Sequence, residues 1–413
     1  MAKISKKNKL LIAISAVGPG LFLIGYNIGT GSVTTMAKAG AEYGMTLFWA
    51  IILSCVFTYI LMVAYGQVTL VSGKTALLNI KTSLKGGKLL ALYILVALVI
   101  GELLALVGIM GIVADLVQEG IRLLTTGTII STEWIILTLI VFLSIMFWYG
   151  RYKIFEKILT VFVILMALCF MAVFFMVSPD FLVIAAGIVP SIPDEPGAFG
   201  LIAAMAGTTC SAAVFIVRST VVKEKGWTID NLKDEKRDAF VSSFMMLLLS
   251  GLIMAVAAGT LYVMGIKLDN TLELIELFQP IGGKAAAFLL ILGIVGAGLS
   301  TIFPIVLIAP WLIADYTGKP RNIQSPMFRI LIFMGLLFAF GSVFLEKSPT
   351  VLMVFSMAFQ AAILPAVAIP VFILLNKKDI MHKHKASLSM NIGLIAVIAF
   401  SIVTTYFAII GYF

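Results

Sequence analysis

Two clusters of glycine and hydroxyl residues are the most chemically suggestive feature of the sequence. One is Gly29-Thr30-Gly31-Ser32, and the other is Thr208-Thr209-Cys210-Ser211, which follows Gly207. Each lies within a long apolar run, where glycine disfavours a helix by about 1 kcal/mol relative to alanine. An unwound segment exposes backbone groups that a ligand can satisfy. We therefore interpret these eight residues as candidate substrate contacts, with close packing of small residues between helices as the alternative.

Charged and amide side chains inside apolar runs form a second group of candidates. A charge in the hydrocarbon core is costly and indicates function by default. Lys38 either extends to the membrane surface or has a substrate or gate role. We expect Arg218 to form a salt bridge that holds an inner gate, with contact to lipid headgroups as the alternative. Glu102 could carry a proton or pair with a cation. Gln360 faces either a cavity or a neighbouring helix.

The composition places these residues in a membrane protein. Hydrophobic residues make up 61% of the 413 residues and charged residues 12%, whereas soluble domains carry about 25% charged residues. The net charge of +9 would suggest nucleic-acid binding in a soluble protein, but here the basic residues lie in short segments between apolar runs. No catalytic, nucleotide-binding or paired metal-ligand motif is present, so we expect no enzyme, no cofactor and no nucleic-acid partner.

Eleven apolar runs are long enough to cross a bilayer as helices, which takes about 20 residues each. They are continuous rather than alternating, which excludes a membrane barrel. The runs cover approximately 9–41, 45–71, 88–116, 133–149, 154–177, 198–222, 239–264, 284–316, 327–346, 350–375 and 388–412. The sequence therefore predicts an all-α polytopic protein.

Basic residues in the connections predict the orientation of these spans. The second connection contains Lys74, Lys81, Lys85 and Lys88, whereas the segment 178–197 contains no lysine or arginine. All basic connections fall on one side when the spans number eleven. By the positive-inside rule, the N-terminus is cytoplasmic and the C-terminus external. We expect a monomer in the inner (plasma) membrane of a bacterium, with the bilayer and a small-molecule or ion substrate as partners.

Short motifs along most of the chain carry a family resemblance. In order they are Gly18-Pro19-Gly20, Ala39-Gly40-Ala41-Glu42-Tyr43-Gly44, Ser72-Gly73-Lys74, Arg151 with Phe155-Glu156-Lys157, Ser178-Pro179-Asp180, Gly296-Ala297-Gly298-Leu299-Ser300-Thr301 and Leu364-Pro365 through Ile369-Pro370. Their order and spacing resemble the Nramp (natural resistance-associated macrophage protein) family of metal-ion transporters. The resemblance implies the leucine-transporter fold, a 5+5 inverted repeat with broken helices 1 and 6. It implies one transporter domain, with repeats at about 9–177 and 198–375 and an extra helix at about 388–412.

The sequence departs from this family at the expected metal site. The family's Asp-Pro-Gly-Asn break aligns with Gly29 to Ser32, and its methionine ligand aligns with Ser211. Its two histidines align with Ala213 and Arg218. The acidic pair of helix three falls on two leucines, although Glu102 lies one residue away from that pair. The resemblance therefore implies a transporter scaffold without the usual metal ligands.

Two functions follow from these departures. The principal prediction is cation-coupled uptake, with sodium or a proton, of a small organic solute such as an amino acid or carboxylate, because the first cluster is similar to Gly-x-Gly breaks of amino-acid transporters of this fold. Ser300 and Thr301 resemble a hydroxyl pair that holds sodium in such transporters, with helix packing as the alternative. The second prediction is a divalent metal (Mg²⁺ or Mn²⁺) transporter with a rearranged site, which would need at least one carboxylate.

Overall fold

The computed structural model describes residues 29–125, 130–149, 152–195, 197–276, 283–319, 321–344 and 348–412. Its major helices are α1 (Thr30–Tyr43), α2 (Phe48–Ser72), α3 (Gly87–Leu124), α4 (Thr132–Tyr149), α5 (Tyr152–Val177), α6a (Ala198–Thr209), α6b (Ala212–Glu224), α7 (Leu232–Ala257), α8 (Gly283–Thr317), α9 (Pro326–Ala339), α10 (Pro349–Asn376) and α11 (Leu388–Tyr412). Four short helices connect them: Ala76–Ser83, Phe181–Ala186, Glu273–Glu276 and Lys378–Met381.

These helices correspond, run by run, to the eleven apolar runs of the sequence. Nine helical segments of the described chain are long and apolar enough to cross a membrane. The other two runs contain α5, with a shorter apolar helix at Met166–Val177, and α1, which is the second half of the first run. Residues 9–28 of that run, including Gly18-Pro19-Gly20, lie outside the described residues, as does Arg151. The chain is an integral membrane protein, and the part that the structure describes consists almost entirely of helices.

The third helix is longer than its apolar run predicts. The run ends near residue 116, whereas α3 continues to Leu124. In the additional turns, Val117 and Ile121 pack against the core. A salt bridge of 2.6 Å between Arg122 and Glu119, one turn apart, stabilises the end of the helix. These two turns carry charged residues on one face, so counting apolar residues alone ended the predicted helix too early.

A central group of helices surrounds the two glycine and hydroxyl clusters. Helix α3 packs against α8 and α10, and α10 also packs against α6a and α11. Close approach is possible where a glycine replaces a larger residue. At Gly207, an added β-carbon would lie 1.7 Å from the backbone oxygen of Met357. Gly207 therefore permits the contact between α6a and α10 and lies inside a helix, not at the break.

The sixth span is interrupted between α6a and α6b. Cys210 (φ −109°, ψ 49°) ends α6a and Ser211 (φ −66°, ψ 128°) precedes α6b, so neither has helical dihedral angles. The last carbonyl groups of a helix lack partners within it. Here the Thr58 hydroxyl of α2 donates to the Thr209 carbonyl oxygen at 2.8 Å. A neighbouring helix therefore satisfies one of the backbone groups that the break frees.

The described part of the first span begins at Gly29. This residue is extended (φ −100°, ψ −169°), and α1 begins at the next residue. Thr30, Gly31 and Ser32 consequently form the first turn of α1, although the sequence suggested that they are unwound. The amide groups of a first turn have no partner within the helix. The unwound part visible here is confined to Gly29.

Candidate functional site

The two glycine and hydroxyl clusters meet in the interior. The hydroxyl groups of Ser32 in α1 and Thr208 in α6a share a hydrogen bond of 2.8 Å, and both residues are buried. They are 176 positions apart in the sequence. An arrangement in two repeats, with the clusters at matching positions as the sequence predicts, would bring them together in this way. Both helix breaks therefore border one central region.

A small cavity of about 30 Å³ lies at this meeting point. Such a volume holds about one or two water molecules. The residues around it come from α1, α3, α6a, the α6 break, α8 and α10. They are Gly29, Gly31, Ser32, Glu102, Ile109, Gly207, Thr208, Ser211, Thr301, Ile305, Met353, Met357 and Gln360.

Five of the eight predicted substrate contacts line this cavity, namely Gly29, Gly31, Ser32, Thr208 and Ser211. Thr30, Thr209 and Cys210 do not, because their side chains leave the helices in other directions. The Thr30 hydroxyl lies against Gly298 of α8, at 2.8 Å from the position of an added β-carbon. The Thr209 hydroxyl donates to the Met205 carbonyl in its own helix at 2.7 Å.

The thiol of Cys210 is the third of these excluded groups. Cys210 is a buried free cysteine that faces Thr58 of α2. Its sulfur atom is a soft group in the second cluster of the sequence. Since its side chain points away from the cavity, it offers no sulfur ligand there.

Glu102 and Gln360 are two further polar residues that line the cavity. Their side chains are only 4% and 2% exposed. Gln360 of α10 donates from Nε2 to the carboxylate of Glu102 in α3. Among the residues that the structure describes, none forms a hydrogen bond with its Oε1. Gln360 thus both contacts a neighbouring helix and faces the cavity, which were the two alternatives that the sequence left open.

Two methionines of α10 add thioether groups that the sequence did not identify. An added β-carbon on Gly31 would lie 2.4 Å from Met353 Cε and 3.2 Å from Met357 Sδ. Both methionines line the cavity. A methionine in an apolar helix looks the same in sequence whether it packs in the core or faces a site. No pattern in the chain distinguished these two.

Two adjacent hydroxyl residues of α8, Ser300 and Thr301, differ in whether they line the cavity. Both Ser300 and Thr301 donate to the Ala297 carbonyl oxygen, each at 2.8 Å. Thr301 lines the cavity, and its Oγ1 would lie 1.8 Å from a β-carbon on Gly29. Ser300 does not line it. One hydroxyl oxygen, rather than two, therefore meets the backbone of the first break.

Lys38 joins α1 to the connection that follows α7. Its ammonium group lies 2.7 Å from Glu42 Oε1 and 2.7 Å from Asp269 Oδ1. It also donates to the Leu268 carbonyl oxygen at 2.9 Å. These contacts pair Lys38 with two carboxylates, and its role in a gate stays a prediction. We call them the Lys38 clamp.

Arg218 forms a buried cluster at the opposite end of the bundle. Its guanidinium lies 2.9 Å from Glu235 Oε1 and 2.7 Å from Asp238 Oδ2. All three side chains are at most 1% exposed. The expected salt bridge of Arg218 is therefore present, and it joins α6b to α7. We call this group the Arg218 triad.

The charge of the cavity comes from a single acidic residue, Glu102. Within the described ranges, no three His, Cys, Asp or Glu side chains are close enough to share a metal ion. A cation in the cavity would have to combine the Glu102 carboxylate with amide, hydroxyl, thioether and backbone groups. Such mixed sets are chemically possible, because carboxylate and carbonyl oxygens suit Mg²⁺ and Mn²⁺ while thioethers suit softer ions.

Comparison with known proteins bears on the family and the fold. Residues 20–411 match the family model of natural resistance-associated macrophage protein-like proteins, Nramp. No curated protein sequence matches the chain.

Among solved structures, the chain is similar to a manganese transporter of Eremococcus coleocola in complex with an aromatic bis-isothiourea substituted compound. The TM-score is 0.73 at 14% identity, over 99% of this chain and 88% of that one. Mhp1, a nucleobase-cation-symport-1 family transporter in a closed conformation, has a TM-score of 0.64 at 12% identity, over 95% and 92%. MhsT in complex with L-phenylalanine has 0.62 at 12% identity, over 96% and 98%. These similarities show a shared fold, that of the leucine transporter.

Proposed function

Because the chain belongs to the Nramp family and is therefore a membrane transporter, we propose that its substrate is a divalent metal ion. The ion is held at a rearranged site centred on Glu102. Mn²⁺ is the preferred ion and Mg²⁺ a weaker competitor. This is the second of the two functions that the sequence suggested, and it requires the carboxylate that the cavity contains.

The observation that carries the proposal is the pairing of Glu102 with Gln360 beside both helix breaks. Glu102 brings a negative charge, and Gln360 Oε1 is a buried acceptor that has no partner within the described ranges of the chain. A buried polar atom without a partner costs about 1–3 kcal/mol. A cation between the two groups would satisfy the amide oxygen and neutralise part of the carboxylate charge. The Sδ atom of Met357 adds a softer ligand.

The size of the cavity supports an ion over an organic solute. A space of about 30 Å³ accepts an ion with one or two small ligands. Pockets for organic ligands are usually about 300–1,000 Å³. An amino acid would have to displace Met353 or Met357 from their positions beside Gly31. The thioethers also favour Mn²⁺, because Mg²⁺ demands a near-octahedral shell of oxygen ligands.

We propose further that a second cation, sodium or a proton, couples to transport. The Thr301 hydroxyl oxygen against Gly29 suits sodium, and the Glu102 carboxylate suits a proton. The Lys38 clamp and the Arg218 triad lie on opposite sides of the breaks in the first and sixth spans. They are therefore suited to close the outer and inner approaches to the cavity in turn, as alternating access requires.

The experiment is metal uptake into proteoliposomes, followed with a fluorescent dye that responds to Mn²⁺. We expect saturable Mn²⁺ uptake by the unmodified protein, and a loss of at least about tenfold in affinity for Glu102→Gln, which corresponds to 1.4 kcal/mol. The control is Glu119→Gln, the same change on the same helix. Glu119 pairs with an exposed arginine far from the cavity, so this variant should transport normally.

The same liposomes are tested with radiolabelled amino acids and organic acids. Uptake of one of these solutes without any Mn²⁺ uptake would support the organic-solute alternative and contradict the metal proposal. Equal Mn²⁺ uptake by Glu102→Gln and the unmodified protein would remove Glu102 from the site.

A further inference from the structure

A second small cavity lies between α4 and α9, away from the central site. Its volume is about 70 Å³. Six residues surround it, three from each helix: Ser144, Phe147, Trp148, Arg329, Ile332 and Phe333. Neither the Nramp resemblance nor the central site gives these residues a role. The cavity combines an arginine, a hydroxyl and aromatic rings.

Arg329 is held in place but is not neutralised. Its guanidinium carbon lies 4.4 Å from the centre of the Trp148 ring, a cation–π distance. In the part of the chain that the structure describes, no carboxylate forms an ion pair with it. Its Nε atom is buried without a hydrogen-bond partner, and so is the Ser144 hydroxyl. Two buried donors therefore border one cavity, and no described residue accepts a hydrogen bond from them.

The cavity lies at the depth of a membrane–water interface. Trp148 is the second-last residue of α4, and Arg329 is in the first turn of α9. Tryptophan and arginine at helix ends are typical of the headgroup region of a bilayer. The surrounding surface faces outward, since Trp148 is 59% and Phe333 51% exposed. A ligand would therefore approach from the lipid, at headgroup level.

We propose that this cavity binds the headgroup of an anionic phospholipid. The phosphate accepts hydrogen bonds from Arg329 and Ser144, and the first part of an acyl chain packs on Ile332 and Phe333. Arginine is well suited to phosphate because its planar fork donates to two oxygens at once. Stacking on Trp148 orients that fork before the lipid arrives. The bound lipid bridges α4 and α9, which come from different repeats, and so stabilises their contact.

The test compares lipids by thermal unfolding and native mass spectrometry of the purified protein in detergent. A ligand that binds only the folded state raises the apparent melting temperature. Phosphatidylglycerol should raise it and remain bound in the mass spectrum, whereas phosphatidylcholine and millimolar inorganic phosphate should not. Arg329→Gln should weaken phosphatidylglycerol binding by at least about tenfold, the factor that 1.4 kcal/mol represents. Ser144→Ala should weaken it by a smaller factor.

The matched control is Arg237→Gln, an exposed arginine near the start of α7 at the same end of the bundle. This variant should keep the full response to phosphatidylglycerol. Should Arg329→Gln fail to fold, the Ser144→Ala titration decides by itself. Three results would overturn the proposal: an equal response to phosphatidylcholine, an equal response to inorganic phosphate, or unchanged binding by the foldable variants of the cavity.

Discussion

The substitution Gly31→Ala separates a role of this glycine in the site from a role in helix formation. Gly31 lies in the first turn of α1 and borders the central cavity. An added β-carbon would meet only the ends of two flexible side chains, at 2.4 Å from Met353 Cε and 3.2 Å from Met357 Sδ. No backbone atom is as close. The protein can therefore accept the methyl group, but only at the expense of the cavity.

The expected magnitudes follow from these distances. To reach the usual carbon–carbon separation of about 3.5 Å, Met353 Cε must move by about 1 Å. A thioether chain displaced from its rotamer loses about 0.5–1.5 kcal/mol, while alanine favours the helix by up to about 1 kcal/mol. The free energy of unfolding should therefore change by no more than about 1 kcal/mol. The methyl group, about as large as a water molecule, fills much of a cavity of about 30 Å³.

The assay pairs Mn²⁺ uptake in proteoliposomes with thermal unfolding of the same preparation. Gly31→Ala should lose uptake while its melting temperature stays close to that of the unmodified protein. The control is Gly335→Ala in α9, where an added β-carbon meets its nearest neighbour, Val306 Cγ1, at 3.8 Å. That variant should fold and transport normally. Normal uptake by Gly31→Ala would refute the reasoning, because it would show that ligand binding does not need the space beside this glycine.

Three further substitutions, one of them with a matched control, test the surroundings of the site. Gly207→Ala places a methyl group against the backbone oxygen of Met357. Such overpacking should destabilise the protein by about 1–3 kcal/mol or more. An unchanged melting temperature would contradict the close contact between α6a and α10. Arg218→Gln leaves two buried carboxylates without a positive partner. It should therefore lower the free energy of unfolding, measured by thermal denaturation, by about 3–5 kcal/mol. A loss below about 1 kcal/mol would mean that water reaches the Arg218 triad. Thr301→Ala should abolish any stabilisation of the protein by sodium. The control Ser300→Ala should retain that stabilisation, because Ser300 does not line the cavity. If sodium stabilises both variants equally, Thr301 has only a packing role.

The helices and the meeting of the two breaks could be predicted from the sequence. Long apolar runs leave little choice other than membrane helices. The two glycine and hydroxyl clusters marked the neighbourhood of the breaks, although Gly31 and Gly207 lie inside helices. Charged residues inside spans had to find partners, and Lys38 and Arg218 did. In each case a strong energetic penalty restricts the possible structures.

The composition of the cavity wall could not be predicted in the same way. A membrane helix is apolar on nearly all sides, so its sequence has no periodicity that tells which face points inward. The direction of Cys210 toward α2, and of Met353 and Met357 toward Gly31, depends on how the helices are rotated in the bundle. That rotation depends on contacts such as the one at Gly207. Local sequence does not encode it.

The most direct test of the metal proposal is an anomalous difference map from crystals grown with Mn²⁺. We expect a manganese peak in the central cavity, within coordination distance of the Glu102 carboxylate and Gln360 Oε1, with Met357 Sδ as a further neighbour. Crystals of Glu102→Gln grown in the same way should lack the peak. No peak in the cavity of the unmodified protein at saturating Mn²⁺, or electron density for an organic molecule there instead, would contradict the account.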